Sequence, residues 1–338
     1  MAAFFGDINA RARGLRTRLL QQKELERLAH APNLFALQRE LSSLGFVRPD
    51  APATTKALEK AVRRHAATQI SLLSRWSEGP RRTVLAVLFE DEDRRSIQAI
   101  VRGAEQGAPA EARLAGLVPT HSLPERALLA LAAQPTVKDV IHMLAWWQHP
   151  LAAALLEPAS RPHPSVFQIE VALHRAFARR AQLNAKKGGQ DLAAHVAQII
   201  DIMNAWAVLL HFAEGDPSLA DLIFVEGGSA LPRDVFSELM GLERLADVEE
   251  GVALQFRRSP LSSAFRESVG NLPELESAIL QAQIDCQNRA LRADPGGTAP
   301  VIGFALELRA QVLGLRRIIW GVALRAPPAL LFSGLVTA

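Results

Sequence analysis

The stretch Leu28-Ala-His-Ala-Pro-Asn-Leu-Phe-Ala-Leu-Gln-Arg-Glu-Leu41 decides the fold, because the chain uses its pattern again. It lines up with Leu131-Ala-Ala-Gln-Pro-Thr-Val-Lys-Asp-Val-Ile-His-Met-Leu144. A third copy begins near Leu239, after Ser229-Ala-Leu-Pro-Arg233, which echoes His121-Ser-Leu-Pro-Glu125. The second and third copies keep one constant offset across Leu123 and Leu231, Pro124 and Pro232, Val140 and Val248, and upstream across Asp93 and Asp201. Chance similarity between Leu/Ala-rich helices does not hold so many marker types at one spacing. A second recurring segment closes each copy. Ile97-Gln-Ala-Ile-Val-Arg-Gly103 matches Leu315-Arg-Arg-Ile-Ile-Trp-Gly321, and Ala205-Trp-Ala-Val-Leu-Leu210 is a weaker middle version. The spacing predicts three related units, residues 1–106, 107–214 and 215–338. Each is longer than a solenoid repeat, so three small helical bundles are expected instead of a stacked array.

Working outward, helical periodicity runs through most of the chain, and strand signals are nearly missing. Ile8, Leu15, Leu19, Leu25 and Leu28 recur at helix spacing and predict a helix across 8–28. Val166, Ile169, Leu173 and Phe177 share one face of a helix that should stop at Lys186-Lys187-Gly188-Gly189, with basic residues in the last turn and glycine beyond. Breaks are expected at Arg48–Pro52, Gly79-Pro80, Glu157–Pro164 and Asp294–Gly297. The expected class is all-α.

The 338 residues are 49% hydrophobic and 22% charged with ordinary Gly and Pro, which excludes a disordered tail, a collagen-like chain and a disulfide-stapled secreted domain. Length alone would suggest about two domains. The lone Cys286 cannot pair within the chain, which points to a reducing compartment. A pI near 9.4 hints at nucleic acid, yet the formal charge is only +3. With no Tyr and one Cys, few groups release protons between His and Arg, so a small excess of base lifts the pI. The N-terminus shows no basic stretch leading into an apolar one, so no signal peptide is expected. The most apolar long segment, Val137–Ala159, contains Lys138, Asp139, two His and two Pro, and reads as a core helix followed by a turn.

These markers resemble the C subunit of V-type and A-type rotary ATPases, called d in the eukaryotic enzyme. Asn9-Ala-Arg-Ala-Arg-Gly-Leu-Arg-Thr-Arg-Leu-Leu20 is similar to that family's opening helix, and Asp91-Glu-Asp-Arg-Arg-Ser-Ile-Gln-Ala-Ile-Val-Arg-Gly103 to its second signature. Gln168–Phe177 resembles its mid-chain helix, Ile200-Asp-Ile-Met-Asn204 a short Ile-Asp-x-x-Asn element, and Glu307–Gly321 with Ala323–Pro328 the closing helix and Pro-Pro turn. The chain departs from the family at Phe4 and Phe5, where Tyr is common. It departs again at Leu209-Leu210 and in the tail Leu330–Ala338, which lacks a charged last helix.

The resemblance implies three similar helical bundles around a pseudo-threefold axis, forming a funnel. It implies a non-catalytic rotor part whose base rests on the membrane proteolipid ring and whose mouth receives the central stalk. Such a part would sit peripherally on the cytoplasmic face, touch the membrane only through its complex, and serve ATP-linked proton or sodium transport. No cofactor, metal, catalytic residue or nucleic-acid partner is expected.

The residues themselves offer an interaction surface. Arg11, Arg13, Arg16 and Arg18 near the start, and Arg309, Arg316 and Arg317 near the end, could pair with carboxylates of the stalk. The plainer alternatives are solvated helix faces, or pairing with neighbouring units of the same chain. Trp206 and Trp320 read as core residues, and Cys286 as a small buried hydrophobe. The nine His give no i, i+4 pair suited to a metal. Gly188-Gly-Gln190 matches a release-factor tripeptide only in its three letters, and no phosphate-binding Gly-x-x-x-x-Gly-Lys loop occurs.

Glu90-Asp-Glu-Asp93 raises an enzyme alternative, a class I terpene cyclase holding Mg²⁺ against a diphosphate. The second metal motif of such enzymes is missing, and their terminal Arg-Tyr pair is impossible here. The run's ordinary role would be at a helix N-terminus, where carboxylates favour the dipole. A helical nucleic-acid-binding scaffold is the remaining alternative, resting on the basic faces alone.

Overall fold

The computed structural model describes residues 5–162, 164–211, 220–332 and 335–336, and among them the regular structure is helical with no strand. Phe4 and part of the tail, residues 333–334 and 337–338, lie outside the described residues, as does the expected boundary at 214/215.

The expected helix across 8–28 divides in two. After helix α1 (Gly6–Arg16) the chain tightens, Arg18 and Leu19 N–H reaching the Leu15 and Arg16 carbonyls, and Leu20 N–H then turns to Gln311 Oε1 at 2.7 Å. Gln21 and Glu24 then form a capping box that launches α2 (Gln22–Ala29). Four residues on, Asn33 Oδ1 accepts the Ala36 N–H at 2.9 Å and starts α3 (Leu34–Ser43). The quoted stretch is therefore the link and second helix of a helical hairpin.

Two long helices follow, α4 (Thr55–Trp76) and α5 (Pro80–Glu105), split at the expected Gly79-Pro80 break, and then the short α6 (Ala110–Arg113). The hairpin plan returns as α7 (Glu125–Ala132) and α8 (Val137–Trp146), the second helix capped by Thr136. After α9 (Leu156–Ser160) come the long helices α10 (Val166–Gly188) and α11 (Gln190–His211). Beyond α12 (Ala220–Ile223), the plan appears a third time as α13 (Arg233–Met240) and α14 (Leu245–Phe256). The short α15 (Ser262–Ser268) leads to the long helices α16 (Leu272–Ala293) and α17 (Ala299–Ala323), and α18 (Pro328–Phe332) ends the described helices. In each hairpin the first helix has eight residues and the link to the second has four.

Packing follows a rule. Helix α5 packs on the second hairpin and α11 on the third, while α17 returns to α1, α4 and the first hairpin. Helix α17 is apolar nearly all round, with Ile302, Phe304, Leu308, Leu315, Ile318 and Ile319 fully buried, as a central helix must be. At about 1.5–3 kcal/mol for each such side chain, this one helix supplies a large share of the burial that holds both ends of the chain together. The buried apolar residues form one large cluster running from α1 to α11 and on through α17, and a smaller one around the third hairpin, α15 and α16.

Among the described residues, one helix, Gln190–Leu210, is long and apolar enough by length and composition to cross a membrane. Sixty-seven per cent of its most apolar window is already buried inside the protein.

Two sequence readings change. Trp320 is 43% exposed and its indole N–H donates to Glu59 Oε1 at 2.8 Å, so it sits at the surface of α17 instead of in the core; Trp206 is half-buried against the third hairpin's cluster. Cys286 is half-buried, and Gln198 Nε2 donates to its Sγ at 3.3 Å.

Candidate functional site

The acidic run Glu90–Asp93 lies in the middle of α5, not at a helix start, because the helix begins ten residues earlier at Pro80. Its four carboxylates have internal partners. Glu90 takes a bidentate pair from Arg180 of α10 at 2.9 and 2.7 Å. Asp91 is shared by Arg94 and Arg95, with four contacts between 2.7 and 3.0 Å. Glu92 pairs with Arg309 of α17 at 3.0 Å. Asp93, fully buried, accepts from Thr120 and Ser122 hydroxyls and lies 3.2 Å from His149 Nε2. One helical turn thus joins α10, α17 and the segment that leads into the second hairpin.

Asp93 has counterparts. Asp201 of α11, also buried, accepts the backbone N–H groups of Ser229, Ala230 and Leu231 at 2.9, 2.9 and 3.2 Å, just before α13. On α17, Gln311 takes the Leu20 N–H before α2, and buried Glu307 pairs with Arg16. Burial pushes the Glu307 carboxyl up, and Arg16 opposes that shift. The second long helix of each pair, α5, α11 and α17, therefore fixes the entry to a hairpin, and the last of them fixes the first.

Where α5, α10, α11, α16 and α17 face one another they leave a cleft of about 330 Å³. One wall carries Arg94, Arg95, Gln98 and Arg102 of α5, with Glu170 and His174 of α10, Gln283 of α16 and Arg309 of α17. The rest of the lining is largely apolar, including Phe167, Ile202, Met203 and Trp206. Arg102 is tied to Glu170 and Arg309 to Glu92, whereas Arg94 and Arg95 draw on the single carboxylate of Asp91. Burial alone would raise Asp91, but Arg95 and Arg94 hold it far below the usual carboxylate range. Burial, with Arg94 and Arg102 adding to it, holds His174 well below its ordinary value.

The seven arginines singled out from the sequence divide. Arg16, Arg309 and Arg316 reach carboxylates within the chain, Glu307, Glu92 and Glu59. Arg11 lies over the Trp76 ring at 5.1 Å, Arg13 donates to the Pro295 carbonyl at 2.9 Å and Arg317 to the Leu330 carbonyl at 2.9 Å. Arg18 is exposed and meets no partner among the described residues. The cleft's own residues Arg94, Arg95, Arg102, His174 and Gln283 escaped sequence reading. The signal was the Arg94-Arg95 pair directly after the acidic run, which only the fold turns inward.

Behind the cleft, His195 is buried and pushed down to about 4, with burial the main cause. The folded ring is neutral, while an unfolded His takes up a proton near 6.5. The contribution of this ring is therefore fully present above about pH 6.5 and is lost as pH drops toward 4, amounting to about 2–3 kcal/mol at pH 4.5. Urea unfolding at pH 7 and 4.5 should show a drop that shrinks by about that amount in His195→Gln.

Compared with known proteins, residues 8–331 match a family model described as ATP synthase (C/AC39) subunit. No curated protein matches the chain.

Proposed function

The chain belongs to the ATP synthase C/AC39 subunit family of V/A-type ATPases, and from that premise we propose that it is the socket joining the central stalk to the membrane proteolipid ring. The family is one of structural ATPase subunits, so the chain's role is to hold and transmit, and ATP chemistry lies elsewhere in the complex. In this reading residues 1–106, 107–214 and 215–338 are three related bundles about a pseudo-threefold axis, forming a funnel that sits peripherally on the cytoplasmic face. It couples ATP turnover to movement of protons or sodium.

The observation that carries the reading is the order of the ties. The long helices α5 and α11 each fix the hairpin that follows, and α17 fixes the first, so load applied at any one hairpin reaches the others through buried helices. Torque transmission needs that stiffness and large contact surfaces, with no poised nucleophile. Exposed Arg11, Arg13, Arg18 and Arg317 are the cations available to acidic partner surfaces, while Arg16, Arg309 and Arg316 stiffen the socket.

A tagged chain drawn from its own cells should bring down stalk and proteolipid subunits of a rotary ATPase. Recovery of none of them would overturn the proposal. Mg²⁺-dependent diphosphate release would favour the cyclase alternative, and salt-sensitive DNA retardation the nucleic-acid one.

A further inference from the structure

We propose that the cleft receives one carboxylate, borne on an apolar segment of the seated stalk, and that His174, Gln283 and the Arg94–Arg95 pair are its donors. The inference rests on the socket reading and names the chemistry of the contact inside it.

Hydrogen-bond bookkeeping comes first. His174 Nε2 and Gln283 Nε2 are buried and have no partner, and both line the cleft. Gln283 is 3% exposed, so bulk water does not satisfy its amide. The buried amide nitrogen and the guanidinia beside it can only donate, and the His174 ring donates from Nε2 in the tautomer that carries its proton there, so the one group that satisfies all of them is an acceptor.

Charge then selects the kind of acceptor. Arg94, Arg95, Arg102 and Arg309 face three largely buried carboxylates, Asp91, Glu92 and Glu170, so that one guanidinium charge is left only with the fourth carboxylate lining the cleft, Glu276. Glu276 stands 3.9 Å from Arg309 and is mostly exposed, where water screens it. The excess sits at the Arg94–Arg95 pair, and Arg94 is deeply buried. A single carboxylate neutralises one charge, whereas a phosphate dianion would overshoot. The apolar residues Phe167, Ile202, Met203 and Trp206 line the same cleft and would hold the hydrocarbon part of the same segment. A volume of about 330 Å³ is at the small end for ligand sites, suited to a few side chains of a helix tip and not to a whole domain.

The test uses the full chain and the stalk subunits of its own complex, with affinity measured by calorimetry. Gln283→Leu and His174→Leu should each weaken stalk binding by about 10- to 50-fold, as loss of a hydrogen bond to a charged group does. The free chain should melt no lower, since each change removes an unpaired buried nitrogen. A merely structural role would instead lower the melting temperature and the affinity together. Replacing the acidic residues of the stalk tip one at a time with their amides should reveal one whose loss is not additive with Gln283→Leu. Unchanged affinity in both leucine variants, or no coupled acid, overturns this inference while the socket reading stands. Failure of the unaltered chain to bind the stalk overturns both.

Discussion

Replacing Asp201 with Ala is expected to cost about 4 kcal/mol or more of folding stability, read from urea unfolding followed by helical circular dichroism. The carboxylate is almost fully buried and takes three backbone N–H groups ahead of α13, together with the Ser229 hydroxyl at 3.1 Å. Each bond to a charged acceptor contributes about 1.5–3 kcal/mol, and Ala leaves the N–H groups of buried Leu231 and half-buried Ala230 without that partner, while exposed Ser229 can turn to water. Asp201→Asn keeps one acceptor oxygen and should lose about half as much. Asp93→Ala should lose less than Asp201→Ala, because Thr120 and Ser122 are hydroxyl donors that can rotate toward other acceptors. If the two alanine variants lose equal stability, the backbone N–H groups are not what Asp201 is there to hold.

The second large effect lies one turn away from the cleft. Asp91→Ala removes the one carboxylate that Arg94 and Arg95 share, leaving a buried guanidinium uncompensated. Breaking one side of such a pair costs about 3–5 kcal/mol, more than the intact pair contributes, because the remaining charge has been taken out of water. Removing the stranded charge should therefore repair the damage. The double variant Asp91→Leu, Arg94→Leu is expected to recover most of the loss, since Arg95 still has Glu92 within its electrostatic reach. A double variant as unstable as Asp91→Ala would show that Arg94 contributes by packing, its guanidinium carbon being 5.5 Å from the Phe177 ring centre.

The recurrence of the Leu28–Leu41 pattern was legible, though not that each copy marks a helical hairpin. A four-residue link between two apolar-striped segments, marked by Pro32 or Pro135 and capped by Asn33 or Thr136, is a local signal, and local signals survive folding. Asp93 and Asp201 stood out because they recur at one offset, although only the structure explains them as ties to the hairpin entries. The division of 8–28 into α1 and α2 was not legible, because Gln311, which holds the Leu20 N–H between them, is 291 residues away. The acidic run was misplaced for a related reason. Four consecutive carboxylates suit a helix start in isolation, and what makes them tolerable in its middle is a set of partners mostly distant in sequence, Arg180 of α10, Arg309 of α17, and Thr120, Ser122 and His149, beside the neighbouring Arg94 and Arg95. The cleft was invisible because its donors come from α5, α10, α16 and α17, each unremarkable in its own stretch of sequence.

The tie between Leu20 and Gln311 also sets a timetable for synthesis. A ribosome releases the first hairpin long before the residue that completes its hydrogen bonding exists. The α2–α3 entry must wait, with its apolar faces uncovered, until α17 has been made. The second and third hairpins do not wait in this way, since α5 and α11 are translated before them. The earliest part of the chain to be made is thus the last to be finished. The nascent protein should be most open to chaperones and proteases at its N-terminal end, closing there only when the final long helix emerges.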